Sequence, residues 1–588
     1  MLKNNTKKEL NILTKTILIG GAAGEGIKSG GHLLSRLLIK HGYNVFLYDE
    51  YPSLIKGGHN SVRITYSIYP VYSTTKLIDV LICLDDKTFE EHKHELNEGA
   101  IIIVDPKIVK PSIDDLNNIS CEILEVEVSQ ILRLHKIHKL MKNLCFISFF
   151  CNLIGIEQNR LIEECKLVFD NIQNIDPNLT AIDLIYRYTN DCANLYKLRF
   201  FSNSQGQSLI NNLFLSGNEL TGIGGIEGGL KFYAGYPMTP SSTILDFFIK
   251  WQREYQIVVK QTEDEIAAIN MAIGASFAGA RSMVATSGGG FSLMVEGLGL
   301  AAITETPIVI ILSQRPGPAT GMPTWTAQGD LQFVLHASQD EFPRVVFAPT
   351  SHDEARKITQ IAINIADNYQ VPVIILLDKY LSESFVNYEW KDTTIHNTRT
   401  TILTEDKLER ISEYKRYELT SNGVSMRSIP GQKNGIHLAS GDESDEYGYP
   451  NETATNRKNK VEKRWKKVEF IKNDIPEINV YGSPNAETVF ITWGSTTGSI
   501  LETIRRFNTQ NIKLIALNTL FPLPSDDIKD ALGRYERIFC VENNFTGQLA
   551  QILEYELDIE FTGKLLKYDG RPVFPEDVIE FLKKQNFI

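Results

Sequence analysis

Paired cysteines are missing from this sequence. Its seven cysteines, at 83, 121, 145, 151, 165, 192 and 540, never fall in a Cys-x-x-Cys arrangement. An iron–sulfur cluster needs a set of clustered thiolates, so none is expected on this chain, and the cysteines read as scattered reduced thiols. Long apolar runs are missing too. No stretch reaches the roughly 18 residues that a membrane span requires, and the N-terminal Met1–Glu9 lacks the apolar core of a signal peptide. Basic excess is also missing: 60 Lys and Arg stand against 72 Asp and Glu, a net charge of −12. That excludes nucleic acid as the main partner and fits a cytoplasmic protein. His32, His135 and His138 have no ligand-like partners at useful spacing and read as surface or core histidines, so no metal ligand set is expected.

What is present is a series of α/β patterns, and 588 residues leave room for three or four domains. Residues 1–195 read as one such domain. Thr16–Gly20 is a short buried strand, Gly20–Gly26 a glycine-rich turn, Ile27–His41 an amphipathic helix and Asn44–Tyr48 the next strand. This layout presents backbone N–H groups to a phosphate, and Asp49 or Glu50 could mimic a ribose-binding acid. The dinucleotide fingerprint is nevertheless incomplete, so a tight structural turn is the better reading. Ile78–Leu84 and Ala100–Val104 predict further strands of a parallel sheet, and Leu132–Ile156 predicts packed helices.

Residues 196–214, with the polar Phe201–Ser208, read as a linker. The unit 215–384 carries the apolar runs Met283–Thr286, Ile308–Leu312, Val345–Phe347 and Val371–Leu377, separated by helix-length segments. That alternation predicts a doubly wound parallel sheet, whose ligands bind beyond the C-terminal strand ends. Tyr236–Pro240, Ser287–Gly290 and Gln314–Pro318 each follow an apolar run and should share one rim. Residues 385–477 are polar and predict an extended connector with little core of its own, its basic run Asn456–Lys467 being a solvated helix face. Residues 478–588 return to α/β alternation, with strands at Glu487–Trp493, Ile512–Leu517 and Arg537–Val541. The fold class is therefore multidomain α/β.

The stretch Phe232–Gly274 organises the rest. It holds Tyr236-Pro-Met-Thr-Pro240, then Gln261-Thr-Glu-Asp-Glu265 at the start of a helix rich in Ala and Gly, with Gly274 nine residues after Glu265. An acid in a first helical turn is in itself ordinary capping. The combination is not ordinary: Gly235–Ser242 resembles the Tyr-Pro-Ile-Thr-Pro motif of the 2-oxoacid:ferredoxin oxidoreductase α chain, with Met238 in place of the commoner Ile. The Glu265–Gly274 spacing resembles that of the pyrimidine-binding domain of thiamine-dependent enzymes. Thr286–Met294, Ser313–Pro318 and Gly321–Leu331 extend the resemblance in the same order. Gly20–Gly26 and Glu50–Asn60 resemble the γ domain of that family, here fused ahead of α, and 478–588 resembles the transketolase C-terminal domain.

The resemblance implies a coenzyme A-dependent oxidative decarboxylation of a 2-oxoacid to acyl-CoA and CO₂, with reduction of ferredoxin. It implies thiamine diphosphate as cofactor, with Glu265 as the catalytic carboxylate that hydrogen-bonds the aminopyrimidine N1′ and so tunes a base that the cofactor carries. Gly288 and Gly289 would let backbone approach the cofactor. Arg315 and Thr239 would hold the substrate carboxylate, with Tyr236 and Met238 lining the pocket. No Gly-Asp-Gly…Asn motif is present, since Gly329-Asp330-Leu331 and Gly441-Asp442-Glu443 lack the continuation. The diphosphate site, Mg²⁺ and the 4Fe–4S cluster are therefore expected on a β subunit. Relatives often carry His where Ser444 stands, so no metal is expected there. They often carry Lys or Arg where Trp325 stands, which removes one way to pair the second carboxylate of 2-oxoglutarate; the fused layout still favours 2-oxoglutarate over pyruvate or a branched-chain acid. A role for the Gly20–Gly26 loop in binding coenzyme A is left open beside a structural one. The alternatives are a non-oxidative thiamine enzyme, against which the γ-like domain argues, and a non-catalytic nucleotide-binding scaffold in which Glu265 only caps its helix.

Overall fold

The computed structural model describes residues 14–53, 58–109, 121–169, 175–192, 212–392, 395–507, 511–585 and 587. Residues 196–211 of the expected linker, and 54–57 of the Glu50–Asn60 segment, lie outside them. Three sheets carry the chain. The first has eight strands in the order Cys121–Glu125, Leu96–Val104, Ile78–Cys83, Thr14–Ala22, His59–Ser67, Asn44–Glu50, Phe385–Tyr388 and Leu213–Ser216. Its Ile-rich strands Ile78–Cys83 and Leu96–Val104 run parallel to Thr14–Ala22, buried on both faces as parallel strands are.

Thr14–Ala22 and Asn44–Glu50 are not neighbours, as a simple strand–helix–strand unit would have them. His59–Ser67 lies between and pairs antiparallel with both. The stretch joining Glu50 to His59 is too short for a crossover and long enough for a hairpin. Helix Ile27–Lys40 starts after Gly26, whose φ of 77° suits a residue without Cβ, and its apolar face packs on the sheet.

The second sheet has seven strands in the order Thr519–Phe521, Val345–Phe347, Pro372–Asp378, Ile308–Gln314, Ser282–Thr286, Phe232–Gly235 and Val258–Gln261. All run parallel except Thr519–Phe521, and helices cover both faces, the doubly wound arrangement. The third sheet holds Asn479–Gly482, Ile512–Leu517, Thr488–Trp493, Arg537–Glu542 and Gly563–Leu566. The second and third sheets share one apolar core, in which Val489, Ile491 and Trp493 join Val346, Ala348 and Leu376.

The segment 385–477 departs from the sequence reading in two ways. Its first residues, Phe385–Tyr388, form a strand of the first sheet. Its basic run is not a solvated face: in helix Ala454–Ile471 the residues Lys460, Lys463, Arg464 and Lys467 are all buried. Lys463 and Lys467 both donate to Glu305, and Arg464 pairs with Glu443 at 2.7 Å. Burial alone would raise the Glu305 carboxyl, but Lys463, then Lys467, hold it well below the ordinary range. A second knot ties the segment down, where Asp367 accepts from Arg281, Arg399 and Arg427. Ion pairs, together with Ile471 in the apolar core beside Ile363 and Val371, seat this stretch on the second sheet's layer.

Candidate functional site

Because its strands are parallel, the second sheet gathers the loops after Phe232–Gly235, Val258–Gln261, Ser282–Thr286 and Ile308–Gln314 on one rim. These loops are Tyr236–Pro240, Thr262–Glu265, Ser287–Gly290 and Arg315–Pro318, so the expected convergence of three motifs is observed with a fourth added. The Tyr236–Pro240 loop is fixed by its backbone. Thr262 N–H donates to Gly235 O at 3.1 Å, Ser241 N–H to Met238 O at 2.9 Å, and Asn218 Nδ2 to Pro240 O at 2.8 Å.

Glu265 opens helix Glu265–Phe277, and the preceding Asp264 caps it by accepting from Ala267 N–H at 2.7 Å. Capping thus falls to Asp264, and Glu265 is left for something else. Its side chain is 3 % exposed, whereas Glu263 is exposed. Glu265 Oε1 has no hydrogen-bond partner among the described residues, and neither do the buried Ser287 Oγ and Asp330 Oδ2. Three orphaned polar atoms at one rim call for an outside partner, because a buried acceptor without a donor costs about 1–3 kcal/mol.

The glycines explain how these side chains are given room. A Cβ on Gly290 would lie 2.5 Å from Glu265 Oε1, and one on Gly288 would lie 2.7 Å from Asp330 Oδ2. Gly289 faces ordinary space, 3.7 Å from Ala319 O. Sequence alone places Gly290 on the rim without a role and sees Asp330 only within an incomplete diphosphate and Mg²⁺ motif. Thr286 Oγ1 donates to Met238 Sδ at 3.9 Å, tying the Tyr236–Pro240 loop to the glycine run.

Arg315 is half-buried, and its Nη1 donates to the backbone O of Thr239 at 2.7 Å. The guanidinium therefore clamps the Tyr236–Pro240 loop from the neighbouring strand end, meeting the Thr239 carbonyl and not its hydroxyl. Burial pushes the Asp330 carboxyl up to about 6, an effect that the nearby Arg315 partly offsets. Tyr236 is exposed at the rim, and Met238 and Thr239 are half-buried. Trp325 lies elsewhere, lining a cavity between the first and third sheets with the Arg571 guanidinium carbon 3.3 Å from its ring centre. Gly274 has nothing within 4 Å of where a Cβ would stand, and its helix exposes Ile266 and Met271.

Among the described residues no helix is long and apolar enough to cross a membrane. Residues 223–463 match the family model described as pyruvate flavodoxin/ferredoxin oxidoreductase, thiamine diP-bdg, and residues 16–188 match the model for pyruvate ferredoxin/flavodoxin oxidoreductase. The 2-oxoacid:ferredoxin oxidoreductase subunit alpha of Saccharolobus solfataricus is 33% identical, over 96% of this chain and 97% of that protein. The 2-oxoglutarate synthase subunit KorA of Methanocaldococcus jannaschii is 32% identical over 54% of this chain and 84% of its own length. The structure of 2-oxoglutarate:ferredoxin oxidoreductase from Magnetococcus marinus, with 2-oxoglutarate, coenzyme A and succinyl-CoA bound, superposes with a TM-score of 0.89 at 29% identity, covering 97% of this chain and 99% of that one. With its motifs on one rim and relatives matching nearly end to end, the chain belongs to the α-subunit family of the 2-oxoacid:ferredoxin oxidoreductases.

Proposed function

We propose that this chain, with a γ-type unit in residues 1–195 and a pyrimidine-binding unit in 215–384, is the α half of an enzyme that oxidatively decarboxylates a 2-oxoacid. Coenzyme A would take the acyl group, and ferredoxin the electrons. The observation that carries the reading is the buried, unpartnered Glu265 Oε1 facing Gly290. A carboxylate kept dry, with a glycine opposite, fits the aminopyrimidine of thiamine diphosphate. What that cofactor supplies when bound is a nucleophilic carbon and an electron sink.

This chain's residues do the rest. Glu265 would hold the proton shared with pyrimidine N1′, while Gly290 and Gly288 leave room for the Glu265 and Asp330 side chains and Gly289 leaves open space on the rim. Arg315, fixed against Thr239 O, pairs with the substrate carboxylate through its planar fork, with Tyr236 and Met238 beside it. A β subunit supplies the diphosphate site, Mg²⁺ and the 4Fe–4S cluster. The open face of Gly274, with Ile266 and Met271 exposed around it, offers that subunit an apolar landing site. The similarity to a 2-oxoglutarate synthase subunit and to a 2-oxoglutarate:ferredoxin oxidoreductase supports 2-oxoglutarate as the preferred acid, in a cytoplasmic enzyme.

The test is to purify the chain with its native partner and assay it with 2-oxoglutarate, pyruvate and 2-oxoisovalerate. A brown complex, with turnover that needs coenzyme A and is fastest on 2-oxoglutarate, supports the reading. A colourless complex that turns over without an electron acceptor would replace it with a non-oxidative thiamine enzyme.

A further inference from the structure

A second site lies far along the sequence from the rim, at the glycine-rich turn of the first sheet. His59 is the first residue of strand His59–Ser67, and His92 the last of helix Asp86–His92. Their Nε2 atoms face each other at 3.0 Å. The two rings are held there. His59 rests over Gly20, where a Cβ would stand 2.7 Å from its Cε1, so the glycine makes room for the imidazole. His92 Nδ1 bonds Glu95 Oε2 at 2.9 Å, and Arg63 Nη2, almost fully buried, fixes the same oxygen at 2.8 Å.

Glu95, paired with Arg63, accepts from His92 Nδ1, which leaves His92 Nε2 as the ring nitrogen that faces His59. A carboxylate oxygen of Glu91 lies within 4.8 Å of both nitrogens. Two neutral imidazoles on tetrahedral zinc, with Zn–N bonds of about 2.0–2.1 Å, stand about 3.3 Å apart, within a few tenths of the spacing here. The Glu95–His92 bond is the outer-shell carboxylate that orients metal-bound histidines and sets their tautomer.

We propose that His59, His92 and Glu91 form a site for a divalent transition ion of the zinc class, with Glu95 and Arg63 as its outer shell. Two nitrogens and one oxygen leave a fourth position open. It gives onto the cavity of about 510 Å³ that Trp325 also lines, where Lys76, Lys87 and Arg571 stand among Glu50 and Asp569. The fourth ligand is accordingly water.

The full-length chain is dialysed against Zn²⁺ and then metal-free buffer, and its zinc is counted. The double variant His59→Ala/His92→Ala should retain one zinc fewer than the wild type, and Glu95→Gln should weaken retention by about 10- to 100-fold. Equal zinc in wild type and double variant overturns the proposal. Should the variants not fold, diethylpyrocarbonate labelling of the wild type decides: Zn²⁺ must protect His59 and His92, and labelling that zinc leaves unchanged also overturns it.

Discussion

Lys463 and Glu305 form a two-pronged ion pair across 158 residues of sequence, with Nζ at 2.8 and 2.6 Å from the two carboxylate oxygens and both side chains 1 % exposed. Lys467 reaches the same carboxylate at 2.6 Å, and Arg416 donates to the Glu305 backbone O at 2.8 Å. Glu305→Gln removes the one negative charge while the cations stay buried. It should cost about 3–5 kcal/mol, read as a lower urea midpoint for the transition that melts helix Ala454–Ile471. Lys463→Met leaves Lys467 on Glu305 and should cost clearly less. Equal losses would mean that the pair is not what seats the helix.

At the rim, Glu265→Gln should leave the fold and assembly intact and lower kcat by about 100-fold or more, because an amide cannot hold the proton that the carboxylate shares. Gly290→Ala should do similar harm by a different route, its methyl arriving 2.5 Å from Glu265 Oε1. The readout is 2-oxoacid-dependent dye reduction by the assembled complex. Turnover near that of the wild type in Glu265→Gln would remove Glu265 from the chemistry.

Arg315→Lys loses the planar fork and the clamp on Thr239 O together. If Arg315 holds the carboxylate common to all 2-oxoacids, kcat/KM should fall by a similar factor for 2-oxoglutarate, pyruvate and 2-oxoisovalerate. A fall confined to 2-oxoglutarate would assign it to the distal carboxylate.

Asp330 gives a pH signature. Its folded pKa is raised by burial, against the pull of Arg315, from 3.8 to about 6. Between these values the folded chain holds more protons than the unfolded chain, so this group's stabilisation is full below pH 4 and is lost as pH rises to 6. Asp330→Asn does not titrate. Its stability relative to wild type should therefore climb between pH 4 and 6 and stay level above, by up to about 3 kcal/mol. Melting curves of the cofactor-free chain at pH 4, 5, 6 and 7 measure it, and a constant offset would contradict the burial of Asp330.

Much of the fold is legible locally. Apolar runs such as Ile308–Leu312 and Val371–Leu377 name their own strands, and parallel pairing then dictates that Tyr236–Pro240, Ser287–Gly290 and Gln314–Pro318 share a rim. Glu265 and Glu263 cannot be separated by residue type; the nine-residue spacing to Gly274 favours Glu265, and burial divides them the same way. Long-range pairing is what sequence hides. Lys460, Lys463 and Lys467 look like a wet helix face until Glu305 is placed among them. Asp330 looks like a failed metal motif until Gly288 is set beneath it. His59 and His92 lie 33 residues apart with no recognisable spacing, and only the meeting of a strand start with a helix end brings them together.

The short strands Leu213–Ser216 and Phe385–Tyr388 stand just before and just after the six parallel strands of the second sheet in the chain, yet they bond to one another and, through Phe385 and Val386, to Leu47 and Phe46. Lys379 Nζ reinforces the seam by donating to Asp49 O at 2.6 Å. Covalent fusion is thus duplicated by a β-ladder, much as a zip duplicates a button. A single protease cut between Cys192 and Leu213 should give two polypeptides on a denaturing gel and one particle on a sizing column. A gene broken at the same place would still encode halves that recognise each other edge to edge.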